Sequence, residues 1–209
     1  MNILNIDSSI NGTNSVSREL SRFAVEQLIK QHPGAHAEHL DLISNPPPYY
    51  TSDSLGLRLG LEDAALTPAQ RTENQLTQTL LDQYLKADTV VIGAPFYNFT
   101  IPSQLKSWLD RVIQPRKTFQ YGANGPEGLS GDKTVYVILS RGGIYSTSEQ
   151  GQALEHQESY LRVVFGFIGV TNIHFIYAEG IGMGAEARAE ALSTAEQQII
   201  QLLQTVELA

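Results

Sequence analysis

Short apolar segments alternate along this chain with longer segments that are apolar on one side only. Near-continuous apolar runs predict strands at Asn2–Asp7, Thr89–Ala94, Thr134–Ser140 and Asn172–Ala178, and an alternating pattern predicts a weaker strand at His36–Leu42. Apolar residues at helical spacing predict helices at Ser15–Gln31, Ala69–Lys86, Pro102–Val112, Ser148–Phe165 and Gly184–Val206. Five strands therefore alternate with five helices.

This alternation predicts an α/β fold in which a parallel sheet carries helices on both faces. The commonest five-stranded arrangement is flavodoxin-like, with strand order 2-1-3-4-5 and ligands bound at the carboxyl ends of the strands, near the switch between strands 1 and 3. We expect residues 1–209 to form one domain. The connections at 43–66 and 113–133 are longer than this plan requires and are expected to be functional loops or partner surfaces.

Composition and charge exclude several classes of function. The chain has 14 Lys and Arg against 22 Asp and Glu, a formal net charge of -8, and no basic cluster. Nucleic acid and anionic membrane surfaces are therefore not expected as partners. The absence of cysteine excludes disulfides and thiolate chemistry and suits the cytoplasm. The longest apolar run, Val163–Val170, is too short to span a bilayer, and the five histidines lack metal-ligand spacing.

The loop after the first strand is rich in hydroxyl groups and runs directly into a helix. Its sequence is Ser8-Ser9-Ile10-Asn11-Gly12-Thr13-Asn14-Ser15-Val16-Ser17. Free amides and the positive end of the helix dipole favour a phosphate there. A terminal monophosphate fits best, because the loop lacks the motifs that bind triphosphates and dinucleotides. Alternatively, Ser15 only caps the helix and the remainder is a polar turn.

The loop after the third strand places three aromatic residues where the chain leaves the core. It runs from Gly93 to Pro102 and contains Phe96-Tyr97-Asn98-Phe99. Flat apolar walls with an amide between them suit a planar heterocycle, whose faces need contact area and whose edge needs hydrogen bonds. Alternatively, Phe96 and Phe99 only pack the loop onto the core.

The fourth strand is followed by Ser140-Arg141-Gly142-Gly143-Ile144-Tyr145. Paired glycines allow unusual backbone angles and a close approach of amide groups to a ligand. Taken alone, such a pair is also compatible with an ordinary turn. Because all three loops follow parallel strands, we expect them at the same edge of the sheet.

Together these loops resemble the FMN-dependent azoreductases, also described as FMN-dependent NADH:quinone oxidoreductases. The resemblance extends over nearly the whole chain. It includes Ser-Ser and Ser-x-Ser near the start, Pro-Phe-Tyr-Asn-Phe leading to Pro102-Ser103-Gln104-Leu105-Lys106, Asn124-Gly125-Pro126-Glu127-Gly128-Leu129, the Ser-Arg-Gly-Gly turn, and Phe165-Gly166-Phe167-Ile168-Gly169. Each motif is modest, but the set in this order is specific.

The resemblance implies a set of residues that bind FMN without a covalent bond. Ser9, Ser15, Val16 and Ser17 would hold the phosphate; Pro95, Phe96, Tyr97, Asn98 and Phe99 would line the isoalloxazine; Ser140, Arg141, Gly142 and Gly143 would border the ring on its other side. For Arg141, a surface position or an ion pair across a dimer interface is an alternative.

The resemblance also implies a homodimer with its flavin sites at the subunit interface, so that the 113–133 connection helps to build the neighbour's pocket. The expected substrate contacts are the aromatic residues Phe99, Phe119, Tyr121 and Tyr145. Tyr145 stands where some relatives carry histidine, and Val164 where some carry phenylalanine. These differences bear on the substrate side of the pocket.

The implied activity is the reduction of quinones to hydroquinones and of azo compounds to aromatic amines, with NADH or NADPH as electron donor and FMN as carrier. No side chain is expected to react covalently, because the cofactor supplies the chemistry. A flavodoxin-type electron carrier or a general FMN-dependent NAD(P)H reductase is the alternative. A phosphorylation receiver is disfavoured because Gly93-Ala94-Pro95 replaces its aspartate, and a serine hydrolase because Ser140 lacks a nucleophile elbow.

Overall fold

A five-stranded parallel sheet lies at the centre of the computed structural model, which describes residues 1–206. The strands, including a separate two-stranded hairpin, are β1 (Asn2–Asp7), β2 (His36–Asp41), β3 (Thr89–Pro95), β4 (Phe119–Gly122), β5 (Gly125–Gly128), β6 (Thr134–Arg141) and β7 (Asn172–Glu179). The order in the main sheet is β2-β1-β3-β6-β7, and all four pairings are parallel. The predicted flavodoxin-like order is therefore confirmed.

Seven α-helices connect and cover these strands within the described residues. They are α1 (Val16–Gln31), α2 (Leu55–Leu59), α3 (Pro68–Lys86), α4 (Ser103–Val112), α5 (Glu149–Ala153), α6 (Glu158–Phe167) and α7 (Ala185–Val206). Four of the five predicted helices agree with the structure to within one residue at each end. Across residues 1–206, we find no helix with both the length and the apolar character needed to cross a membrane.

The predicted helix Ser148–Phe165 is wrong as a single element, because residues 154–157 separate α5 from α6. The Glu155 carboxylate accepts hydrogen bonds from the backbone amides of Gln157 and Glu158, which follow it in the chain, at 2.6 and 2.7 Å. The Gln157 side chain is buried and donates to the carbonyl of Ala94 at 2.9 Å. The helix is thus interrupted by bonds to the end of β3, which lies some 60 residues earlier in the chain.

Both long connections contain regular structure that the sequence pattern did not predict. The 43–66 connection contains α2, and the 113–133 connection contains the β4–β5 hairpin. The hairpin base packs beside the C-terminal end of α6, where the Ser130 amide donates to the Ile168 carbonyl at 2.8 Å. Because β7 begins shortly after this point, the hairpin base lies at the amino edge of the sheet.

The apolar core forms two layers, one on each face of the sheet. Helices α3, α4 and α6 cover one face, where Trp108 packs edge-on against Tyr84 with ring centroids 6.0 Å apart. Helices α1 and α7 cover the other face and contribute residues such as Leu20 and Ile199. The central strand β3 is buried along its whole length, as expected for a parallel strand with helices on both sides.

A buried arginine attaches the 43–66 connection to this framework. Arg111 in α4 pairs with Glu73 at 2.8 Å and donates to the Thr77 hydroxyl and the Pro48 carbonyl, both at 3.0 Å. Its side chain has no exposed surface. Arg111 therefore has a structural role: it joins α4 to α3 and to the 43–66 connection.

Trp108→Ala is expected to lower the free energy of unfolding by about 3–5 kcal/mol, because it removes a fully buried ring and leaves a cavity. Val163→Ala is the control: this α6 side chain is 71% exposed, so the change should be below about 0.5 kcal/mol. Urea denaturation followed by circular dichroism measures both. Equal losses in the two variants would contradict the assignment of Trp108 to the core.

Candidate active site

The three loops predicted to converge are joined by direct contacts at the carboxyl edge of the sheet. The Phe96 amide donates to the Ser140 carbonyl at 2.9 Å, and the Phe96 and Tyr145 ring centroids are 4.7 Å apart. The hydroxyl of Tyr97 accepts the Ile10 amide at 3.1 Å. The loops after β1, β3 and β6 therefore lie side by side at this edge, and we refer to the space that they border as the crevice.

The loop after β1 ends at the N-terminus of α1, which is a candidate site for an anion. The Ser15 hydroxyl accepts the Arg18 amide at 3.2 Å and lies 3.2 Å from the Ser17 hydroxyl. Ser15 therefore caps the helix, as the alternative to a phosphate site predicts. The cap engages the Arg18 amide and leaves the other amides of the first turn without a partner from Ser15. Within residues 1–206 the amides of Val16 and Ser17 have no acceptor. Free amides at the positive end of a helix favour an anionic ligand.

The charged groups beside this loop are paired with one another. Asp7 at the end of β1 is buried and lies 2.8 Å from His39 and 3.5 Å from Arg18, whose guanidinium also reaches Asp41 at 3.0 Å. Burial raises the pKa of Asp41, but hydrogen bonds from Ile43, Ser44 and Arg18 outweigh it and lower the pKa to about 2. Arg18 is thus already engaged by two carboxylates, so an anion bound at the α1 N-terminus would depend on amides and hydroxyls.

The loop after β3 forms a tight turn with an uncommon backbone. Tyr97 and Thr100 exchange two backbone hydrogen bonds at 3.0 and 3.1 Å, and between them Asn98 and Phe99 have positive φ values of 47° and 71°. Asparagine tolerates this conformation, whereas for phenylalanine it is strained. Such strain often marks functional sites. The turn holds the Phe99 ring 47% exposed and edge-on to Phe96.

The glycine pair after β6 presents free amide groups. The carbonyls of Gly142 and Gly143 accept the amides of Gly182 and Gly180 at 2.9 and 3.0 Å, which ties them to the segment after β7. Among the described residues neither glycine N–H has an acceptor. These two groups can therefore donate to a ligand at this side of the crevice.

The Arg141 side chain is buried and forms its ion pairs within its own chain. Both alternatives for it, a surface position and an ion pair across a dimer interface, are therefore wrong. It is 2% exposed and pairs with Glu179 at 2.9 Å and Glu155 at 3.1 Å, while its Nε donates to the Gln157 amide oxygen at 3.3 Å. Burial raises the pKa of Glu179, but hydrogen bonds from Ser146, Arg141 and the Tyr145 amide outweigh it and lower the pKa. A direct contact of Arg141 with FMN stays a prediction.

A cavity of about 560 Å³ adjoins the first two loops. It is lined by Ile10, Tyr97, Asn98, Thr100, Ile101, Ser103, Gln104, Lys106 and Tyr160. Of the predicted site residues, only Tyr97 and Asn98 line it. The contributors from α4 and α6 were not predicted, because no local motif in the sequence indicates that Tyr160 approaches the N-terminus of α4.

Phe119 was predicted as a substrate contact, and the structure corrects this. Its ring is 1% exposed and packs against Phe167, with centroids 4.7 Å apart. It is therefore a core residue at the hairpin base and is not accessible to a substrate. The neighbouring Tyr121 is 75% exposed, so its predicted role remains open.

The strained backbone at Phe99 predicts that replacing this residue by glycine gives a more stable protein than replacing it by alanine. Both Phe99→Gly and Phe99→Ala remove the ring, but only glycine adopts a φ of 71° without cost. We expect Phe99→Gly to exceed Phe99→Ala in unfolding free energy by about 1 kcal/mol. Urea denaturation of both variants provides the comparison. Greater stability of the alanine variant would show that the turn is relaxed in solution.

Comparison with known proteins identifies the family. A family model described as a flavodoxin-like fold matches residues 1–203. An FMN-dependent NADH:quinone oxidoreductase of Acidovorax ebreus (strain TPSY) is 54% identical over 199 residues, which cover 95% of this chain and 92% of the relative. A protein of the same name from Delftia acidovorans is 53% identical over 201 residues, covering 96% and 94%.

Solved structures agree with this assignment. The azoreductase from Bacillus anthracis str. Sterne superposes with a TM-score of 0.87 at 27% identity and 97% and 98% coverage. An FMN-dependent NADH-azoreductase from Bacillus anthracis str. Ames Ancestor, in complex with FMN, has a TM-score of 0.83 at 26% identity, with 96% and 97% coverage. The chain therefore belongs to the family of flavodoxin-like, FMN-dependent NADH:quinone oxidoreductases.

Proposed function

We propose that this protein is an FMN-dependent oxidoreductase that uses NADH or NADPH to reduce quinones and azo compounds. The observation that carries the proposal is that three loops joined by direct contacts carry the strained turn at Phe99 and two pairs of unpaired amides, those of Val16 and Ser17 and those of Gly142 and Gly143. The names of the relatives and of the solved structures support the same activity.

The crevice fits the parts of FMN in order. The α1 N-terminus suits the phosphate, because it combines free amides with the Ser15 and Ser17 hydroxyls and needs no free cation. The aromatic turn supplies flat contact area for a ring system, with the Asn98 side chain exposed beside it. Ser9, 3.4 Å from the Tyr97 hydroxyl, links the two regions.

When bound, FMN supplies the two-electron chemistry that links a nicotinamide donor to a quinone or azo acceptor. The protein's own contribution is binding and electrostatics. The Gly142 and Gly143 amides would donate to the polar edge of the ring and stabilise negative charge there, as fixed donors do in other active sites. The exposed Phe99 ring borders the space where an aromatic substrate stacks, and Tyr145 borders it beside Phe96.

We propose a homodimer in which Tyr121 contacts the substrate of the neighbouring subunit. The Tyr121 ring lies 5.6 Å from that of Phe119, at the C-terminal end of α6, whereas the crevice lies at its N-terminal end. These ends are separated by ten residues, about 15 Å of helix. The exposed Tyr121 ring is thus displaced from the crevice of its own chain and available to another copy. We also propose a cytoplasmic location, where NADH is available.

The cofactor and the activity can be tested together. FMN should bind at least about 100-fold more tightly than riboflavin, because only FMN carries the phosphate to which the α1 amides donate. Fluorescence titration of both flavins measures the ratio. Anaerobic NADH should then bleach the yellow protein without any partner, and benzoquinone should restore the colour. Equal affinity for the two flavins would refute the phosphate site, and a colour that persists with NADH and NADPH would favour the electron carrier.

Tyr121→Ala is expected to raise the KM for quinones several-fold while leaving FMN affinity within twofold, because its ring contacts substrate across the interface. Tyr49→Ala is the matched control, since Tyr49 is equally exposed but lies in the 43–66 connection. Analytical ultracentrifugation should give twice the chain mass of 23.0 kDa. A monomeric active enzyme, or the same KM for the Tyr121 variant and the wild type, would contradict the proposal.

A further inference from the structure

We infer that Arg141 is the positioning residue for the flavin ring, acting through its side chain and not by contact with the cofactor. This inference rests on the proposed function. The observation behind it is that the buried Arg141 guanidinium contacts two segments: Glu179 at the end of β7, and residues 155–157 between α5 and α6. These segments hold the two predicted ring-binding loops in place.

The first set of contacts fixes the loop after β6. Glu179 lies opposite Arg141 in the β6–β7 register and pairs with it at 2.9 Å. The same carboxylate accepts the Tyr145 amide at 3.0 Å and both the amide and hydroxyl of Ser146. The carboxylate thereby closes the loop on both sides of the glycine pair. Arg141 thus determines where the free amides of Gly142 and Gly143 lie.

The second set of contacts fixes the aromatic turn. Arg141 reaches Glu155 and Gln157 in the segment that separates α5 from α6, and Gln157 bonds to Ala94 at the end of β3. Between them, the His156 amide donates to the Phe99 carbonyl at 3.0 Å, and its carbonyl accepts the Thr100 hydroxyl at 3.2 Å. The strained backbone at Phe99 is therefore held by a segment that Arg141 anchors.

The site requires arginine and not merely a positive charge. Nε, Nη1 and Nη2 each face a different partner, and the guanidinium carbon lies 5.5 Å from the Phe96 ring centroid and 5.6 Å from that of Tyr177. A planar fork can serve three partners while lying between two rings, whereas a lysine ammonium offers one point of charge. Loss of one partner in a buried ion pair also leaves a charge uncompensated.

The test compares two buried arginines changed in the same way. Arg141→Lys should raise the Kd for FMN at least tenfold, whereas Arg111→Lys should change it less than twofold. Both variants should lose stability, because both side chains are buried and ion-paired. Fluorescence titration gives the Kd, and urea denaturation of the apoproteins gives the stability. Equal effects of the two variants on Kd would overturn the inference and leave Arg141 a stability residue.

The midpoint potential of bound FMN provides a readout that a purely structural role would not move. If Arg141 aims the glycine amides, Arg141→Lys should weaken binding of the reduced cofactor about tenfold more than that of the oxidised cofactor. For a two-electron couple this equals a shift of about 30 mV to lower potential. An unchanged potential in Arg141→Lys would overturn the inference, and a shift confined to that variant would support it.

A second variant keeps the inference testable if Arg141→Lys does not fold. Glu155→Gln retains an oxygen for the amides of Gln157 and Glu158 but removes the charge that pairs with Arg141. It should raise the FMN Kd at least threefold, and a smaller change would overturn the inference. A wild-type protein that takes up no FMN would instead refute the proposed function, independently of these comparisons.

Discussion

The functional edge of this protein depends on parallel pairing of β1, β3 and β6. Parallel strands bring their carboxyl ends to one side, so the three loops that follow them meet although they are separated by about 130 residues. The pairing is deeply buried, since helices cover both faces of β3. Any change that shifts the register of β3 would move the aromatic turn relative to the loop after β1.

The proposed FMN site relies on backbone amides where other sites use charged side chains. Arg18 is already paired with Asp7 and Asp41, and Arg141 with Glu155 and Glu179. Amides at a helix N-terminus, or in glycines whose carbonyls are already hydrogen-bonded, need little reorganisation when a ligand binds. Such fixed donors favour binding of an anion even though the chain has a net charge of -8. The ion pairs of Arg18 join α1 to β1 and β2, whereas those of Arg141 join the end of β6 to β7 and to the segment between α5 and α6.

Rigidity is unevenly distributed around the crevice. The turn at Phe99 stores backbone strain and depends on bonds from residues 156 and 157 to keep its shape. These bonds require the interruption between α5 and α6. The apolar spacing of residues 148–165 predicts one continuous helix, but the chain leaves the helical path at residues 154–157 to make them. The hairpin at 119–128 lies, by contrast, beside the C-terminal end of α6.

The sequence alone determined the strand order, the positions of four helices and the three loops, because these features follow from local periodicity, capping residues and the rules of parallel sheets. Only the tertiary structure decided which side chains are accessible. Burial of Phe119 against Phe167, the enclosure of Arg141 by two acidic residues and the break before α6 all depend on residues distant in the chain. Local patterns carry no information about such contacts, since a polar residue at a strand end looks the same whether it meets solvent or a partner 38 residues away.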